Sequence, residues 1–179
     1  AASDVYKRQP GGVPSISPSD QIRRAKKRGM KLIAVDPRES ELARRSDIHL
    51  QVRPGQDAIL LAGMIRLILE EDLHDQEFCE RYVSGLDELR QEVEPYEIKR
   101  VGTLTEIPES LIVEAARTFA AGPKGIAVTG TGPEMSAHPN LTQHLTSSLN
   151  TICGRFYRAG DPLANSGALS SGAPRFGGV

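Results

Sequence analysis

Cysteine is scarce in this 179-residue sequence: Cys79 and Cys153 are the whole complement, far apart and outside any CxxC. That excludes a disulfide scaffold and encodes no zinc or iron–sulfur site, so both thiols are expected to serve as small buried hydrophobes. Long apolar runs are missing too. The longest, Ala58–Ile65, is closed by Arg66, far short of the roughly 20 residues that cross a bilayer. Neither charge dominates: 22 Lys+Arg stand against 23 Asp+Glu, a net charge of −1, which removes any general pull toward nucleic acid or an anionic membrane. There is no GxSxG, no P-loop and no Cys or Ser beside an identifiable base, hence no nucleophile to propose. The histidines His49, His74, His138 and His144 have no metal-ligand spacing. A lone histidine is far more often structural, and the alternative of a polar contact to a ligand is open only for His138, which follows a glycine-rich loop.

What remains is ordinary globular composition, with 39% hydrophobic and 25% charged residues. The length allows one core, or one domain and a piece of a second. Both ends read as truncated. Residues 1–9 are polar, lack periodicity and read as a non-native leader, and residues 161–179 are rich in Gly, Ala, Ser and Pro and read as a loop cut off mid-course. No export signal is legible, and no compartment is written in the segment, with the cytoplasm slightly ahead of the periplasm.

Between the ends, helices and short strands alternate. Ser19 or Asp20 can cap a helix through Arg28, which Gly29 ends; its basic run Arg23–Arg28 lacks interleaved aromatics and reads as a solvated face. The aliphatic run Lys31–Val35, stopped by Asp36-Pro37, predicts a buried parallel strand. A short helix over residues 40–45 leads to a second strand, Ile48–Val52, and Asp57 then caps a long helix that is apolar nearly all round. Helices follow over residues 75–82, 86–93 and 108–121, then a third strand, Gly125–Thr129, and a helix over 141–152. The fold class expected is α/β, a mainly parallel sheet flanked by helices.

In such sheets ligands sit beyond the carboxyl ends of the strands. Val35-Asp36-Pro37-Arg38-Glu39-Ser40 puts a carboxylate where it can accept from a ribose hydroxyl or purine N–H, with Arg38 suited to phosphate; the plainer reading is a turn with a solvated arginine. Arg53-Pro54-Gly55-Gln56-Asp57 runs into a helix N-terminus, a natural anion site, unless Asp57 only caps its own helix. In Thr129-Gly130-Thr131-Gly132-Pro133-Glu134-Met135 the paired glycines allow close backbone approach to a ligand, but Met135 replaces the third glycine of GxGxxG. Gly11-Gly12-Val13-Pro14-Ser15 alone says only that a loop precedes a helix.

Taken in order, residues 11–15, 26–33, 35–38, 53–58 and 63–65 resemble the molybdopterin oxidoreductases, the family of formate dehydrogenases, nitrate reductases and dimethyl sulfoxide reductases. The resemblance covers roughly residues 11–161. It implies a fragment of an enzyme that holds molybdenum or tungsten through two molybdopterin guanine dinucleotides. By it, residues 10–122 form a Rossmann-like dinucleotide-binding domain, and residues 123–179 begin an adjoining α/β domain. Gly12, Pro14 and Ser15 would match the loop after the family's first strand. Asp36, Pro37, Arg38 and Ser40 would match the guanosine-side turn, and Gly55, Gln56 and Asp57 the helix-start contact. Thr131, Gly132 and Met135 would lie on the stretch approaching the pterin. A 4Fe–4S cluster and the metal's protein ligand belong to upstream sequence, a small molecule is the implied substrate, and an electron-transfer protein or subunit is the implied partner.

Val13 stands where the family usually has Asn, and Ser40 where it usually has Thr. No catalytic residue or metal ligand is expected within this chain, and the fragment alone is expected to be inactive. Two other readings compete: a non-catalytic structural subunit of a respiratory complex with the same fold, and a nicotinamide-binding Rossmann domain. Three polar strand-end positions weigh against the first and the broken GxGxxG against the second.

Overall fold

The computed structural model describes residues 18–161, with side chains from residue 22 onward. The first helix, α1 (Pro18–Lys27), starts earlier than the capping residues suggested, so Ser19 and Asp20 lie inside its first turn. Its end is as expected. Gly29 takes φ +93°, and the bonds from Met30 N–H to the Ala25 carbonyl (3.1 Å) and from Gly29 N–H to Lys26 (2.9 Å) close the helix in a Schellman turn. Arg24, Lys27 and Arg28 face solvent while Ile22 and Ala25 turn inward. Lys26 leaves the basic face to pair with Asp47 at 3.0 Å.

Strand β1 (Ile33–Val35) is followed by α2 (Glu41–Arg45) and β2 (Ile48–Leu50). The strands are parallel, with Ile33 opposite Ile48 and Val35 opposite Leu50. Both are shorter than their aliphatic runs. Their alternation shows on β2, where Ile48, Leu50 and Val52 are buried and His49 and Gln51 turn the other way.

The long helix α3 (Asp57–Glu70) is the centre of the molecule, with Leu60, Ile65 and Ile68 fully enclosed. Its neighbours are α5 (Leu86–Val93), α6 (Ile98–Thr105), α7 (Glu109–Ala121) and α9 (Pro139–Ile152), while α4 (Gln76–Tyr82) packs on α9. Such enclosure explains why the α3 sequence is apolar on all sides. The last turn of α7 lacks an internal basic residue, and the Arg155 guanidinium donates instead to the carbonyls of Phe119, Ala120 and Gly122.

One expected strand is corrected. Gly125–Thr129 joins no sheet among the described residues, and the only sheet there is the β1–β2 pair. The segment is tied to α9 by side chains instead: Asn150 Nδ2 donates to the Ala127 carbonyl, and Ala127 N–H donates to Asn150 Oδ1, each at 2.8 Å. The glycine loop beyond it closes into a single helical turn, α8 (Thr131–Glu134), packed chiefly on α9. Among the described residues no helix is long and apolar enough to cross a membrane.

Candidate functional site

Because β1 and β2 run parallel, the chain leaves both strands at the same end of the sheet. Asp36 follows β1 directly. Its N–H bonds the Leu50 carbonyl at 3.2 Å, prolonging the ladder by one residue and drawing its side chain under the turn, where it is 3% exposed. Carboxylate Oδ1 accepts the Arg38 N–H at 2.9 Å, an Asx-type turn that makes room for Pro37. Oδ2 is buried and has no hydrogen-bond partner among the described residues. The exposed Arg38 guanidinium stays at 3.9 Å from Oδ1, too far for a hydrogen bond.

The polar face of β2 braces this turn. His49 Nε2 donates to the Asp36 carbonyl at 2.9 Å, and Gln51 Nε2 to the Pro37 carbonyl at 3.1 Å. Neither residue was singled out for this role from the sequence, although their period-two placement opposite Ile48, Leu50 and Val52 is the signal that marks them. Ser40 is the N-cap of α2, its Oγ accepting the Ala43 N–H at 3.3 Å, so its hydroxyl proton remains to be donated elsewhere.

After β2 the chain turns through Arg53–Gln56, with Gly55 at φ +85° and Gln56 N–H bonded to the Arg53 carbonyl at 3.1 Å. Proline before a left-handed glycine is the signature of a type II turn. This turn shifts the helix start and corrects the capping expectation. Gln56 occupies the N-cap without a side-chain bond, and Asp57 is the first helical residue. Among the described residues the Asp57 side chain makes no hydrogen bond or ion pair, and its carboxylate lies at the positive end of the α3 dipole.

The structure therefore brings Asp36, Pro37, Arg38 and Ser40 to one end of the sheet, with Gly55, Gln56 and Asp57 following the neighbouring strand. Thr131, Gly132 and Met135 lie on and just after α8, which packs chiefly on α9, and Met135 is largely exposed. Gly12, Pro14 and Ser15 lie outside the described residues. His138 is the N-cap residue of α9.

No group of three or more metal-ligating side chains occurs among the described residues. Both cysteines are free and buried. Cys79 Sγ donates to the Ile152 carbonyl at 3.6 Å, and burial pushes the Cys153 thiol up to about 11. Neither is a nucleophile.

Comparison with known proteins decides the family. No protein-family model matches the chain. Acetylene hydratase of Syntrophotalea acetylenica is 32% identical over 148 residues, covering 83% of this chain and 20% of the relative. The molybdopterin-containing subunit of thiosulfate reductase from Salmonella typhimurium is 28% identical over 146 residues, 81% of this chain and 19% of that protein. The chain belongs to the molybdopterin oxidoreductase family. The solved structure of acetylene hydratase from Pelobacter acetylenicus superposes with a TM-score of 0.76 at 34% identity, over 78% of this chain and 19% of that one. This member of the family spans about one fifth of the length of the curated relatives it matches.

Proposed function

We propose that this segment is a cofactor-binding part of a molybdenum or tungsten oxidoreductase of the formate dehydrogenase and nitrate reductase type, and that its strand-end turns hold the guanosine half of a bis-molybdopterin guanine dinucleotide. The observation that carries the reading is the buried Oδ2 of Asp36, which has no hydrogen-bond partner among the described residues. A buried carboxylate oxygen without a donor is costly, and the edge of a guanine supplies N–H donors of the kind it lacks. The residues around it fit the rest of a nucleotide. Arg38 presents an exposed fork for phosphate, Ser40 a hydroxyl proton, and the α3 start the N–H group of Asp57, the Gln56 N–H being held by the Arg53 carbonyl.

When bound, the cofactor supplies the metal at which a small-molecule substrate is transformed, and an electron-transfer partner takes up or delivers the electrons. The part left to this chain is to bind and orient. Asp36 fixes the base, His49 and Gln51 hold the backbone of the turn that carries Asp36, and Arg38 balances phosphate charge. Thr131, Gly132 and Met135 form the side that faces the pterin, and a 4Fe–4S cluster and the metal ligand come from sequence elsewhere in the whole protein. A purely structural subunit gains nothing from a buried, half-satisfied carboxylate, which favours the cofactor reading. The segment alone should show no turnover.

The test is a titration of the chain with GDP, followed by backbone amide NMR. Saturable shifts at Arg38, Ser40 and Gln56 are expected, and Asp36→Asn should abolish them while leaving the fold intact, since asparagine keeps the Oδ1 acceptor for Arg38. Shifts that are absent, or unchanged in Asp36→Asn, would overturn the assignment.

A further inference from the structure

The segment Gly125–Thr129 keeps the side-chain alternation of a strand but has no partner strand among the described residues. Its side chains alternate: Ala127 packs against the core, while Ile126 and Val128 point to solvent at 70% and 46% exposure. Alternate residues of a strand also send their backbone groups to opposite edges. On the Ala127 edge one carboxamide meets both groups, Asn150 accepting from the N–H and donating to the carbonyl at 2.8 Å each. Two residues on, Thr129 Oγ1 donates to Gln143 Oε1 at 2.5 Å. Gln143 and Asn150 are seven residues apart, two turns along one face of α9. Helix α9 thus grips the segment at two points, antiparallel to it. Gly130 is buried immediately beyond the second, and α8 begins there.

We propose that Asn150 is a positioning residue: its carboxamide stands in for a neighbouring strand and fixes the direction in which the Gly130–Met135 loop leaves the helical body. Its value for cofactor binding rests on the reading that Thr131, Gly132 and Met135 face the pterin. The mechanical role is independent of that. The residues from Gly122 to Gly130 include three glycines and carry no ladder bonds among the described residues, so between the Arg155 bond at Gly122 and the start of α8 it is the grip that sets the heading of the chain. With it, one half-buried residue is held by both of its backbone polar groups, and the next bond, at Thr129, sets the chain's heading.

Amide exchange and chemical shifts of the full chain decide the matter without any ligand. In Asn150→Leu, which keeps the forked side-chain shape and loses both bonds, the Ala127 amide should exchange at least about tenfold faster. The signals of Thr131, Gly132 and Met135 should move to averaged values, while α5 amides and the melting temperature stay near those of the parent. In Asn150→Asp the acceptor for Ala127 N–H survives, but a carboxylate oxygen faces the Ala127 carbonyl. The loop should be released there too, which covers the case in which the leucine variant does not fold. Loop signals unchanged in both variants, or altered only in proportion to a global loss of stability, would overturn the proposal. Because GDP takes no part in this readout, failure of the nucleotide assignment at Asp36 and failure of the Asn150 role are separate results.

Discussion

Gly63 of α3 and Val101 of α6 meet so closely that a β-carbon on the glycine would lie 2.6 Å from Val101 Cγ2 and 3.1 Å from Cγ1. Both positions are buried, and the helices cross at this point. Gly63→Ala gains up to about 1 kcal/mol of helix propensity, yet it forces a fully enclosed valine to move. Overpacking of that kind costs about 1–3 kcal/mol, so urea unfolding should show a net loss, which Val101→Ala in the same chain should partly relieve. A single mutant as stable as the parent would mean that the crossing is looser than described.

At Gly29 the penalty has a different origin. A side chain there meets nothing within 4 Å, but φ is +93°. Gly29→Ala is expected to lower stability by about 1 kcal/mol through backbone conformation alone, and Gly29→Asn by less, since asparagine tolerates the left-handed region. Calorimetry of the three proteins checks the order.

The thiols give a chemical test of the core. With Cys153 pushed up to about 11 and Cys79 raised by burial, little thiolate forms near neutral pH. Iodoacetamide should label neither residue on the timescale of a free cysteine, and denaturant should expose both at once. Fast labelling of the folded chain would contradict the packing around Ile152.

His74 sets a pH dependence. Burial, aided by Arg90, holds its imidazole below the usual 6.5, while Asp72 and Asp75 pull the other way. The unfolded chain therefore binds the proton first as pH falls, so the stability tied to neutral His74 is complete above about pH 6.5 and is lost below it. His74→Gln should flatten the decline of urea midpoints through that acidic range. An identical slope in parent and variant would exclude the linkage.

How far these features were legible differs by element. Residues 86–93 read as a helix and are one, because apolar spacing and a preceding glycine act locally. The parallel pairing of β1 and β2 was readable in two aliphatic runs that each end in a proline turn. Helix α6 was missed: Val101, Thr103 and Thr105 are β-branched and Gly102 lies among them, a poor local sequence rescued by packing on α3. The third strand failed for the opposite reason. Gly125–Thr129 has strand character, but strand assignment depends on a neighbour, and a side chain 23 residues away occupies that place. At the candidate site the types at positions 36, 38 and 40 were readable, whereas the lone oxygen of Asp36 depends on how His49, Gln51 and Arg38 arrange the turn. Asp57 was read as a cap, and the turn at Gly55 moved that duty to Gln56.

The grip of Asn150 also leaves something undone. It satisfies the edge of the segment that Ala127 faces, while Ile126 and Val128 send their peptide groups the other way and carry exposed aliphatic side chains without a flanking charge between residues 125 and 129. An edge of that composition templates pairing with other extended chains. When this segment is produced by itself, its solubility will be governed there rather than by its near-zero net charge, and Val128→Lys is the change that should keep concentrated samples clear of aggregate.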